Sequence, residues 1–115
     1  MPNAEDTVRL MHMLDHAREA SALIRGKSRS HLGAERSLEL SLVRLLEIVG
    51  EAANRVSASE QSKHPGVPWL KIVGLRNRLI HGYDAVDLDI LWEIVTKDIS
   101  PLIAELEKLV PPAKR

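Results

Sequence analysis

Cysteine is absent from the 115 residues, and aromatic side chains nearly so: two tryptophans, one tyrosine and no phenylalanine. Without thiols there is no disulfide framework, no thiolate catalysis and no cysteine-ligated zinc, and the composition fits a reducing cytosol. An excess of one charge is missing too. Lys and Arg total 16 against 16 Asp and Glu, so the chain lacks the basic surplus that gives a bulk electrostatic hold on nucleic acid. Any such role must rest on a local patch. No run approaches the roughly 18 uncharged apolar residues of a membrane-spanning helix. Glu5 and Asp6 stand where a secretory signal would carry positive charge before an apolar stretch, so a cytoplasmic location is expected.

What is present is helical. Hydrophobic residues make up 44% of the chain, and a single domain of this length can bury roughly two thirds of its unfolded surface without staples. Neither a repeat nor a linker divides it, so residues 1–115 are expected to form one domain. Asn3 and Asp6 read as a helix start, and Val8, Met11, Leu14 or Met13, Ala17 and Ile24 keep a helical period to about residue 25. The segment Arg25 to His31 reads as a loop. In residues 34–56, Leu38, Leu42, Leu45, Val49, Ala52 and Val56 share one stripe at about 100° per residue. Ser57 with Glu60 reads as a capping box for a short turn closed by His64-Pro65-Gly66. Pro68 opens a third long helix expected to reach His81, with Gly82 as its stop. Asp87 caps a last one over residues 88–110, which Pro101 should kink. No segment alternates with period two, so strands are not expected. The predicted fold is all-α, an up-and-down bundle of about four long helices plus a short one.

One residue disturbs this pattern. On the wheel of the third helix, Trp69, Ile72, Val73, Leu75, Leu79 and Ile80 cover an arc of about 160°, and Arg76 falls inside it. A guanidinium there needs an anion or a carboxylate. Two readings are open: the stem lies on apolar surface and the head reaches solvent, Glu47 or Glu51, or the face borders a cleft or dimer seam where Arg76 holds a phosphate. Arg78 points to the polar side with Lys71. Asn77 and His81, four apart, are expected on one face, and the sole tyrosine, Tyr83, follows in the turn. Taken singly, His81 reads as a helix-terminal histidine favoured by the macrodipole and Tyr83 as a packing residue. Together they put a phosphate clamp, a proton carrier and a phenol around one helix end.

Arg76-Asn-Arg-Leu-Ile-His81-Gly-Tyr83 resembles the complete Arg-x4-His-x-Tyr pattern of HEPN-domain toxins of the HepT (DUF86) family. Ile48-Val-Gly-Glu-Ala-Ala53, Pro68-Trp69 and Asp89-Ile-Leu-Trp-Glu-Ile94 are similar to that family's core segment and flanks, so the resemblance runs over nearly the whole chain. It implies a HEPN-like bundle acting as a metal-independent ribonuclease toxin. It also implies a symmetric homodimer with Arg76 and His81 as the catalytic pair at the subunit cleft, and no cofactor. By the same resemblance an MntA-like nucleotidyltransferase, the antitoxin of a type VII system, transfers AMP to Tyr83. The chemistry is compatible: histidine can carry protons at neutral pH and a guanidinium offers a charged fork to phosphate oxygens. One histidine cannot easily serve as acid and base at once, whereas two across a dimer seam can. Asn77 would orient the imidazole, donate to phosphate, or be a plain surface amide. Arg78 and Lys71 are possible RNA contacts.

Competing classes remain at this level. A non-catalytic HEPN module binding nucleotides or a nucleotidyltransferase fits the neutral charge, and a purely structural dimerisation bundle needs no site at all. The Arg25 to His31 segment, with three full positive charges, reads as an RNA guide or as a solvated loop. Glu47 and Glu51 read as a salt-bridged face with Arg44 and Arg55 rather than metal ligands. His12 and His16, four apart, lack a third ligand. Leu40 and Val43 break the polar flank of their helix and could mark contact with a second subunit or the antitoxin.

Overall fold

The computed structural model describes residues 2–83 and 85–111. Helix α1, Ala4–Leu23, starts as its sequence indicates, with the Asn3 side chain accepting from the Asp6 N–H at 2.7 Å. The expected loop after it is half helix: Ser28 opens α2, Arg29–Ala34, its N–H donating to His31 Nδ1 at 2.9 Å. The basic charges of this segment are also largely spoken for, since Lys27 pairs with Glu35 and Arg29 with Asp89. Helix α3, Arg36–Arg55, buries the predicted stripe and also Leu46 and Ala53. Fully buried leucines such as Leu42 and Leu46 each contribute about 2 kcal/mol of transfer free energy.

After α3 comes α4, Ala58–Ser62, capped by Ser57, whose hydroxyl accepts from the Glu60 N–H at 3.2 Å. The expected return bond from Glu60 is replaced by a tertiary one. Asp6, at the start of α1, takes the Ser57 N–H at 2.8 Å and its hydroxyl at 2.7 Å, which fixes α1 antiparallel to α3. Glu60 turns instead to His64, 2.6 Å away.

The third long helix is not continuous. It is split into α5, Trp69–Val73, and α6, Leu75–Leu79, on either side of Gly74. It also stops two residues early: Ile80–His81 (β1) pairs antiparallel with Ala85–Val86 (β2), Ile80 opposite Val86 and His81 opposite Ala85. The expectation of no strands is thus wrong for this short ribbon. Gly82 supplies the positive φ of 78° that its turn requires, and β-branched Ile80 and Val86 lean on the core. Period-two alternation over two residues is too short to be seen in a sequence.

Asp87 caps α7, Leu88–Glu93, accepting from the Ile90 N–H at 3.0 Å. A π turn, Ile94–Asp98, joins it to α8, Ile99–Leu109. Where Pro101 is expected to kink the helix, the irregularity observed is this π turn just upstream, in which the Ile99 N–H reaches back to the Ile94 carbonyl. Helix α8 packs on α1, and Arg18 pairs with Glu107 across that seam. α1 and α3 form the largest interface, with α5 and α6 on α3 and α2 between α3 and α7. The buried apolar residues make one cluster. The bundle is all-α apart from the ribbon of two two-residue strands.

Candidate active site at the end of α6

Gly50 lets α5 approach α3: a Cβ there would lie 3.0 Å from the Ile72 carbonyl and 3.6 Å from that of Val73. That closeness carries Arg76, on α6, over the Glu47 and Glu51 flank of α3. The guanidinium meets Glu47, Nε to Oε2 at 3.2 Å, with the Arg76 side chain 66% exposed. Of the two readings open for Arg76, the stem and carboxylate arrangement is the one observed within a single chain. The expected pairing of Glu47 within its own helix yields to this tertiary pair. A cavity of about 170 Å³ bounded by Glu47, Asn54, Arg76 and Asn77 opens beside it. So exposed a pair is worth up to about 1 kcal/mol.

His81 leaves the helix. Because Ile80 has extended angles, φ −108° and ψ 122°, His81 does not stack over Asn77, and the predicted shared face is wrong. Asn77 lines the Arg76 cavity instead. The imidazole stands out on the ribbon, 62% exposed, with Nε2 3.9 Å from Oδ2 of Asp87. Asp87 thus has two duties, its Oδ1 capping α7 and its Oδ2 facing His81. The sequence marks the cap but not the second duty, which depends on the ribbon folding back.

Tyr83 is fully exposed at the ribbon's turn. It borders a groove with Leu40, Val43, Ile80 and Val86. Val43 lies buried beneath this ribbon, whereas Leu40 stays half exposed, so only Leu40 of the two flank residues is open to an outside contact. Lys71 and Arg78 are not gathered at the Arg76 cavity. Both reach Asp98, at 3.3 Å and 3.2 Å. His12 and His16 form an edge-to-face pair on α1, where His16 Nδ1 hydrogen-bonds the His12 carbonyl at 2.7 Å. No group of three metal-ligating side chains occurs among the described residues, and no helix among them is long and apolar enough to cross a membrane.

An all-α bundle that leaves an arginine, a histidine five residues on and a lone tyrosine exposed along one segment is consistent with a HEPN-like protein. The chain belongs to the Ribonuclease HepT-like family, whose profile matches residues 13–109. Among curated relatives, "Probable ribonuclease HepT" of Thermococcus cleftensis is 36% identical over 75 residues, 65% of this chain and 68% of the relative. "Putative RNase TTE0752" of Caldanaerobacter subterraneus subsp. tengcongensis is 32% identical over 105 residues, 91% of this chain and 94% of the relative. "Putative RNase MJ1380" of Methanocaldococcus jannaschii is 41% identical over 70 residues, 61% of this chain and 64% of that relative's length. No solved structure matches significantly.

Proposed function

We propose that this protein is a metal-independent ribonuclease, the toxin of a type VII-like pair, with Arg76 and His81 as its catalytic residues. The observation that carries the reading is the exposure of Arg76, His81 and Tyr83 along one short segment in a chain of the Ribonuclease HepT-like family. In the reaction a base takes the proton of the RNA 2′-hydroxyl. That oxygen attacks phosphorus, and an acid protonates the departing 5′-oxygen. Arg76, released from Glu47, balances the charge that builds on the non-bridging oxygens. His81 supplies one of the two proton transfers in each subunit. A symmetric homodimer, with Leu40 near its seam, supplies the second imidazole.

Tyr83 is the control point. Its hydroxyl is open to a second enzyme, and an AMP unit placed there by an MntA-like nucleotidyltransferase adds a phosphodiester charge and a base beside the cleft. The charge occupies Arg76 and the bulk excludes RNA.

Incubating the purified protein with RNA in EDTA tests the activity. Cleavage is expected from the wild type, with a loss of about 10²-fold or more in Arg76→Ala and His81→Ala. Equal cleavage by both variants would overturn the assignment, and intact RNA with the wild type would favour a non-catalytic module. Coexpression with the nucleotidyltransferase should add AMP mass to wild type but not to Tyr83→Phe.

A further inference from the structure

We infer that the groove between α5 and the first turns of α8 is a second ligand site, one that holds a nucleoside phosphate. At about 470 Å³ it is larger than the Arg76 cavity and shares no lining residue with it. Its volume lies in the usual range of small-molecule pockets. Ile72 and Leu102, both buried, form its floor beneath the exposed rings of Pro68 and Pro101. The two proline rings offer an apolar surface for a planar base.

The rim has the opposite chemistry. Four charged residues border the groove: Lys71, Lys97, Asp98 and Glu105. The two acids are each met by a cation that does not itself line the groove. Arg78 holds Asp98 at 3.2 Å and Lys108 holds Glu105 at 3.1 Å. With Asp98 shared between Arg78 and Lys71, the latter at 3.3 Å, and Glu105 met by Lys108, Lys97 leaves the groove with a surplus of positive charge beside an apolar surface. That combination selects an anion carrying a flat apolar body and disfavours either part alone. The π turn, Ile94–Asp98, is what presents Lys97 and Asp98 together at this edge. Irregular turns of this kind recur at binding sites.

The nucleotide can be free or part of a strand, and the site stands whether or not the chain cuts RNA. Calorimetric titration of the full chain with AMP, adenosine, inorganic phosphate and an oligodeoxynucleotide, which lacks the 2′-hydroxyl needed for cleavage, tests it. AMP should bind at least about tenfold more tightly than adenosine or phosphate. Lys97→Ala and Lys71→Ala, both at exposed positions, should each weaken AMP about fivefold or more. Ala104→Phe, which fills the groove from its exposed edge, should abolish binding while thermal unfolding stays cooperative. Arg76→Ala should bind AMP as wild type does. Binding of the oligonucleotide alone, lost in Lys97→Ala, would support the site and identify its ligand as a nucleotide within a strand. The inference is overturned if neither AMP nor the oligonucleotide binds, if phosphate binds as well as AMP, or if binding survives Ala104→Phe and is lost in Arg76→Ala.

Discussion

Asp87 shows how one side chain serves both architecture and chemistry. Its Oδ1 caps α7 while its Oδ2 faces His81 at 3.9 Å, so two substitutions separate the duties. Asn is as good an N-cap as Asp. Asp87→Asn should therefore keep its melting temperature and lose less than about tenfold in cleavage, since so exposed a pair is worth at most about 1 kcal/mol. Asp87→Ala should lose the cap as well, about 1 kcal/mol of stability. Thermal melts beside cleavage rates distinguish the two, and an Asn variant as unstable as the Ala variant would contradict the dual role. At this scale the sequence says a great deal. Arg76 is conspicuous because it interrupts an apolar arc, and Tyr83 because no other phenol exists. Asp87's second role was not legible, and the sequence offered Glu47 only as one of two carboxylates open to Arg76, because each outcome depends on residues that only the fold brings near.

Elements are fixed by contacts at their ends. The carboxyl of Asp6 is held below its ordinary value of 3.8 by the Ser57 hydroxyl first and the Ser57 N–H second, with Lys63 adding to the effect against the opposing cost of burial. A depressed folded pKa means stability that is present above the unfolded value and lost as pH falls through the folded one. The melting temperature should therefore fall as pH drops below 3.8, and Asp6→Asn should lessen that fall. A wild-type melting temperature that does not change in this range would contradict the clamp. Gly50 makes a second element-level prediction. Alanine normally favours a helix over glycine by about 1 kcal/mol, but at Gly50 the new Cβ meets two backbone carbonyls, the nearer at 3.0 Å. Neither can move without shifting α5. Gly50→Ala should thus lower the melting temperature and slow cleavage by displacing Arg76, whereas a stabilised variant would show that the helices have room to part. The long helices were readable because three or more turns repeat the apolar period. The break at Gly74 and the ribbon after Leu79 were not, because a single glycine and two-residue strands leave no periodic trace.

For the whole molecule, neutral net charge limits how RNA can be held. With few unbalanced cations, a single strand should be bound through two to four phosphates at most. The slope of log affinity against log salt should then be shallower than about −3. Titrating a labelled, uncleavable oligonucleotide across salt concentrations measures it, and a markedly steeper slope would mean a basic surface that the charge balance does not reveal.

The sequence by itself determined the all-α class, the stripe that α3 buries, the caps at Asn3, Ser57 and Asp87, and the residues to suspect. These follow from local periodicity and from residue types that are rare in this chain. Tertiary structure alone decided where those residues stand. The turn at Gly82 draws His81 out of the helix, the close approach at Gly50 sets Arg76 against Glu47, and the π turn before Pro101 brings Asp98 to Lys71 and Arg78. In each case the outcome depends on backbone turns or contacts between groups distant in sequence. A local pattern carries no information about that outcome.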